Sequence, residues 1–107
     1  MSDSILDEIK KLIEGNRIAL FMKGTPEMPG CGFSAGVVEV LKKYNAPFAA
    51  MDILPDPRIR QVLSAYSSWP TIPQLFISGK LIGGCDIVRE MDAKGELKTL
   101  IDSAMNS

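Results

Sequence analysis

Ile18-Ala19-Leu20-Phe21-Met22-Lys23, then the loop Gly24-Thr25-Pro26-Glu27-Met28-Pro29-Gly30, then Cys31-Gly32-Phe33-Ser34: this stretch decides how the chain is read. Its first part is an apolar run closed by a lysine, the pattern of a strand buried on both faces. Beyond the tetrad, Val37, Val38 and Leu41 recur at helical spacing. Cys31 therefore stands where a strand and a loop open a helix. Unpaired amide N–H groups at a helix start carry partial positive charge and favour an anion. A thiolate is such an anion, and it is the thiolate that acts as nucleophile and metal ligand. A C-x-x-C dithiol would place its second cysteine at position 34, where this chain has Ser34. The thiol has no partner one turn away and must work with a group outside the motif.

The rest of the composition narrows the choice. At 107 residues the chain reads as one domain, residues 1–107, long enough to bury roughly 60–70% of its unfolded surface. Hydrophobic residues make up 46% and the net charge is −1, so nothing favours nucleic acid or an anionic membrane as a partner. No apolar run approaches the roughly 20 residues of a membrane-spanning helix. The start, Met1-Ser2-Asp3-Ser4-Ile5-Leu6-Asp7-Glu8, is acidic and amphipathic, whereas a signal or transit peptide starts basic. The expected location is the cytoplasm, or an organelle matrix after removal of a presequence. Two cysteines, Cys31 and Cys85, are too few for a disulfide-stapled scaffold. With no histidine, a Cys–His pair, a Ser–His–Asp triad and a closed cysteine–histidine zinc site within one chain are all excluded.

Patterning then gives the order of elements. Ser4 is a candidate cap for a first helix with Ile5, Leu6, Ile9, Leu12 and Ile13 as its apolar stripe, ended by Gly15-Asn16. The strand at 18–22 is followed by a helix from about Cys31 to Tyr44 and a short strand from Phe48 to Ile53. Pro55 and Pro57 fit the first turn of a third helix with its body from Arg58 to Tyr66. Residues 74–77 and 80–82 flank Ser78-Gly79 as a tight hairpin. Gly83-Gly84 breaks the strand, Asp86 is the candidate cap of a helix from Ile87 to about Lys94, and Gly95 separates it from a last helical stretch, Glu96 to Ala104. Two strands joined by a helix should pair in parallel with right-handed connection, and the last two should be antiparallel. The expectation is an α/β chain with a four-stranded mixed β-sheet flanked by helices on both faces, the thioredoxin-like fold.

Lys23, the loop through Pro29, Cys31-Gly32-Phe33-Ser34, Trp69-Pro70-Thr71-Ile72-Pro73-Gln74 and Gly83-Gly84-Cys85-Asp86 together resemble a monothiol glutaredoxin, over nearly the whole chain and in matching order. On physical grounds Cys31 reads as a thiolate favoured by the helix start and a nearby cation, and Gly32 as a point of close backbone approach. Phe33 reads either as core or as a rim around the thiol, and Ser34 as a first-turn helix residue. Lys23 ends the strand on the side of Cys31, so its ammonium can face the thiolate and a carboxylate of a bound thiol compound. The resemblance implies that this compound is glutathione.

Proline at position 73 opens a central-looking strand although it has no N–H to give. The resemblance implies a cis Ile72–Pro73 bond that turns the backbone of Ile72 outward, beside Thr71, to pair with an extended peptide; an ordinary edge-strand proline is the alternative. Family members often carry phenylalanine where this chain has Ile72. Trp69 reads chiefly as packing. Gly83-Gly84 permits a tight turn and close ligand approach, and the amides opening the following helix can hold a carboxylate. The family implies that Asp86 accepts a bond from the ligand's α-amine and that Arg60 contacts a glutathione carboxylate, with Arg58 as the competing arginine. Cys85 reads either as a small filler near the pocket or as a resolving thiol for Cys31.

A [2Fe–2S] centre usually takes four thiolates. Two chains giving Cys31 each would still lack two, which two glutathione molecules would supply; the resemblance implies this arrangement, and the count is consistent with it. It implies a homodimer when the cluster is bound, with BolA-like proteins able to replace one protomer and apo iron–sulfur proteins as acceptors. The competing expectation is a glutathione-dependent oxidoreductase in which Cys31 takes glutathione from a glutathionylated protein. Dithiol glutaredoxins have a shorter connection between the matching lysine and cysteine, so the resemblance implies weak activity of that kind here. A regulatory adaptor reporting iron status would use the same site as a cluster carrier.

Overall fold

Residues 2–106 are described by a computed structural model. Helix α1 (Ser2–Gly15) leads into strand β1 (Ile18–Met22), helix α2 (Gly32–Lys43) and strand β2 (Ala49–Asp52). Helix α3 (Pro57–Ser67), the hairpin of β3 (Gln74–Ile77) and β4 (Lys80–Gly83), and helices α4 (Cys85–Lys94) and α5 (Glu96–Met105) follow. The strands form one sheet in the order β2-β1-β3-β4. β1 pairs with β2 in parallel, Leu20 opposite Ala50, and with β3 antiparallel, Leu20 opposite Leu75; β3 and β4 are antiparallel. This is the expected thioredoxin-like arrangement.

β1 shows why an unbroken apolar run was needed. Side chains alternate across a sheet, and each face of this sheet is covered. Ile18, Leu20 and Met22 pack with Val37 and Leu41 of α2, Val88 of α4, and Leu97 and Ile101 of α5. Ala19 and Phe21 pack on the other face with Ile5, Ile9 and Ile13 of α1 and Leu63 of α3. All five strand residues are buried. The Phe21 and Phe76 rings meet edge to face at 5.7 Å between centroids and 82°, the arrangement favoured by the aromatic quadrupole. Outside the core, the Asp92 carboxylate ties α4 to α2 by accepting from Lys43 Nζ at 2.6 Å and from the Tyr44 hydroxyl. The bond to Asp92 pushes the Tyr44 phenol up to about 12, with burial adding to it.

The turns follow their residues. Ser78 and Gly79 both have positive φ, 53° and 79°, as a two-residue turn matched to strand twist requires. Asp56 caps α3, accepting the Arg58 N–H at 3.0 Å, with Pro57 in the first turn.

Three local expectations are corrected. α1 begins at Ser2, so Ser4 lies inside it rather than at its cap. The apolar pattern marks where burial starts, at Ile5, and polar residues ahead of it continue the helix. Pro55 precedes the capping residue of α3 and is not in its first turn. Asp86 is not the cap of α4: the helix opens two residues earlier than expected, with Gly84 as N-cap and Asp86 in the first turn. Gly84 already turns the chain, and its carbonyl accepts the Val88 N–H at 3.0 Å.

Phe21→Ala should lower stability by about 3–5 kcal/mol, because it removes a fully buried ring from a core of close-packed neighbours. Met28→Ala, at a side chain 80% exposed, should change it by no more than about 0.5 kcal/mol. Urea unfolding midpoints of the two variants check the contrast.

Candidate functional site

Where β1 ends, the chain turns sharply and comes back. Gly24 has φ +85, and a Cβ there would collide with the Met28 carbonyl oxygen and with Gly30 N at 2.6 Å. Its N–H donates to Asp52 Oδ1 at 2.9 Å, and the same oxygen accepts the Leu54 N–H at 2.9 Å. Thr25 and Met28 exchange backbone N–H···O bonds, each 3.1 Å. The Gly30 N–H donates to the Lys23 carbonyl at 2.6 Å. The loop is thus a small closed clip that returns Cys31 to the side of Lys23.

Cys31 is the N-cap of α2, in extended conformation. Its sulfur accepts the Ser34 N–H at 3.4 Å and lies 3.3 Å from Ser34 Oγ. Ser34 is fully buried, and its Oγ accepts the Lys23 N–H at 3.1 Å. With one lone pair engaged by that amide, the hydroxyl proton is free to point at the sulfur. Partial burial pushes the Cys31 thiol up, but this is outweighed. The Ser34 hydroxyl, the Ser34 and Phe33 amides and the Lys23 ammonium together hold it below the ordinary thiol value. From sequence Ser34 reads only as a first-turn helix residue, whereas the structure joins it to the thiol. The available signal was its place three residues after the N-cap, from which a side chain reaches back to the cap.

Cys85 is the opposite case. It is 4% exposed at the start of α4, and a Cβ at Gly36 would lie 3.0 Å from its sulfur. Burial pushes its thiol up; Arg89 opposes this, and Asp86 and Cys31 add to it. Both cysteines are free.

A groove of about 490 Å³ runs beside the thiol. Lys23 and Phe33 line one side, residues Trp69 and Thr71 to Pro73 another, and Gly84 to Ile87 a third, with Arg60 reaching in from α3. Of the residues singled out from sequence, Lys23, Phe33, Arg60, Thr71, Ile72, Gly84, Cys85 and Asp86 are brought together here. Cys31 is not itself a lining residue, although Lys23 and Phe33, which help to hold its thiolate, are. The open alternatives close in particular ways. Phe33 is 62% exposed, hence rim and not core. Arg58 is paired with Asp56 at 2.7 Å and does not line the groove, whereas Arg60 does. Trp69, read chiefly as packing, also lines the groove. The Ile72–Pro73 bond is cis, and β3 is a central strand, so Pro73 is not an edge-strand proline. Two cations, Lys23 and Arg60, and one carboxylate, Asp86, border a partly apolar cleft. That distribution suits an extended ligand carrying carboxylates and an amine.

The glutaredoxin family profile matches residues 18–82. "Glutaredoxin 4" of Pasteurella multocida is 54% identical over 96 residues, covering 90% of this chain and 88% of that protein. "Monothiol glutaredoxin-S11" of Oryza sativa subsp. japonica is 52% identical over 99 residues, 92% of this chain but only 20% of that longer protein. Among solved structures, reduced apo GrxS14 from poplar superposes with a TM-score of 0.84 at 48% identity, covering 94% of this chain and 93% of that one.

Ser34→Ala should raise the Cys31 thiol toward its ordinary value, because the sulfur loses its hydroxyl donor. The thiolate fraction at neutral pH then falls, and the pH profile of iodoacetamide alkylation shifts upward. An unshifted profile in a folded variant would show that the helix amides and the Lys23 ammonium hold the thiolate without the hydroxyl.

Proposed function

The chain belongs to the glutaredoxin family, among its monothiol members, and on that premise we propose that it binds glutathione and carries a labile [2Fe–2S] cluster between two copies of itself, for delivery to apo-proteins. The observation that carries this reading is Cys31: a partly exposed thiol held toward thiolate at a helix start, beside a groove, with a serine where a resolving thiol would stand. Such a sulfur is a good ligand and a poor member of an internal disulfide.

In this reading glutathione lies extended in the groove. Lys23 and Arg60 meet a carboxylate, the backbone of Ile72 pairs with the peptide beside Thr71, and Phe33 shields the thiol end. The first amides of α4, at Gly84 and Cys85, take the second carboxylate, and Asp86 accepts from the α-amine. The cluster is cargo. Among the described residues no three cysteine, histidine or acidic side chains converge on a possible metal position, so a four-thiolate cluster needs ligands from outside the chain. Cys31 from each of two copies and the sulfurs of two glutathiones complete that count. Cys85, buried and with a raised thiol, is left out of it. Ligands that are small molecules can leave, which suits transfer to acceptor proteins, and a BolA-like protein can take the place of one copy. Residues 1–107 act as one glutaredoxin domain, and two free cysteines fit a reducing compartment such as the cytoplasm.

The second reading is glutathione-dependent thiol exchange. The Cys31 thiolate attacks the glutathione sulfur of a glutathionylated protein, a new disulfide forms, and the protein leaves as thiolate. Cys85 in the groove lining favours it as a resolving thiol. The closed clip of 24–30 disfavours fast turnover, since it holds one arrangement of Lys23 and Cys31.

Anaerobic reconstitution with iron, sulfide and glutathione should yield a coloured dimer with about two irons, and a colourless protein when glutathione is omitted. Cys31→Ser should abolish the colour with the far-ultraviolet dichroism intact, and Cys85→Ser should retain it. A colourless monomer under every condition would replace the carrier reading with thiol exchange.

A further inference from the structure

Gln74 opens β3 as a polar side chain with no exposed surface. Its Nε2 donates to the Trp69 carbonyl at 3.0 Å and to the Thr71 carbonyl at 3.2 Å. An amide nitrogen has two protons to give, and both are used. The reverse amide orientation would set an oxygen against two carbonyl oxygens, so the bonding pattern assigns which end is nitrogen.

The two carbonyls belong to the segment that lines one side of the groove. The Ile72 side chain packs in the core with Phe21 and Phe76, but the backbone of the segment has few other partners. Pro70 and Pro73 have no N–H. Among the described residues, Trp69 to Ile72 make no backbone–backbone hydrogen bond outside the helices and strands. The Trp69 N–H goes to Ser67 Oγ at 3.2 Å. In a trans peptide the C=O and the following N–H point in opposite directions. The Thr71 carbonyl and the Ile72 N–H share one such plane, the cis bond being the next one along. Drawing the Thr71 carbonyl inward to buried Gln74 therefore aims the Ile72 N–H away from the core, toward the groove that Ile72 lines.

We propose that Gln74 is the positioning residue for the glutathione-pairing segment, acting through the Thr71–Ile72 peptide plane and touching no ligand itself. The inference rests on the glutathione reading above. It separates two functions that a site residue could combine: Gln74 governs ligand affinity, while the Lys23–Ser34–Cys31 chain governs the thiolate.

The test uses Gln74→Met, close in volume and without donors. Glutathione affinity, measured by calorimetry on the apo protein, should fall about tenfold for two lost hydrogen bonds. The Cys31 alkylation pH profile on the same sample should stay unchanged. An affinity within twofold of wild type, or a thiol profile that shifts together with affinity, overturns the proposal. Should the variant fail to fold, the wild-type protein still decides the matter. Scalar couplings across the hydrogen bonds from the Gln74 side-chain amide to the Trp69 and Thr71 carbonyl carbons are expected by NMR, and their absence overturns the assignment. Wild-type protein that takes up no glutathione overturns the functional reading and the role of Gln74 with it. Wild-type protein that binds glutathione, beside a folded variant that binds it equally well, overturns the role alone.

Discussion

Five consecutive apolar residues in β1 have to be hidden from water on both faces of one sheet, and most of the architecture answers that demand. Ile18, Leu20 and Met22 require α2, α4 and α5 on one side; Ala19 and Phe21 require α1 and α3 on the other. β1 pairs with β2 and β3 at its two edges, so its backbone is satisfied as well. With the strand immobile, the place where it leaves the core becomes a fixed point. Lys23 is that point. Its N–H and carbonyl receive the two ends of the returning chain, through Ser34 Oγ and the Gly30 N–H.

The chemistry of Cys31 is built on this anchor. One small hydroxyl, buried at the third position of α2, connects the strand end to the sulfur. It places a donor where a second thiol would otherwise stand, so the same substitution that removes an internal disulfide partner supplies stabilisation of the thiolate. Cys85 shows the reverse balance within the same cleft. There desolvation outweighs the nearby guanidinium of Arg89 and pushes the thiol up. Two cysteines of identical intrinsic chemistry are thus pushed in opposite directions by whether amides and hydroxyls or apolar atoms surround them.

The Trp69–Pro73 part of the groove lining uses a different device. Where Cys31 is held by a helix end and a clip, Thr71 and Ile72 are held by a side chain reaching back from the next strand. A segment with two prolines cannot secure itself through its own ladder, and a buried glutamine supplies the missing donors. In sequence Gln74 reads only as the start of a strand and the end of a motif. Its polarity at a buried strand position was the available sign that it had carbonyls to satisfy.

Legible in the chain alone were the order of elements, the two-residue hairpin turn, Cys31 at a helix start and the absence of histidine chemistry. These are readable because periodicity, capping and turn chemistry act within a few residues along the chain. Boundaries blurred where a polar or glycine residue could belong to either side, as at Ser4 and Asp86. Only the tertiary structure decided the rest. It chose Arg60 over Arg58 for the groove and turned Phe33 outward. It also buried Cys85 and joined Ser34 to Lys23, eleven residues apart in sequence. Each of these depends on which surfaces of separate elements meet, and the desolvation and donor geometry that result exist only once the sheet and its helices have packed.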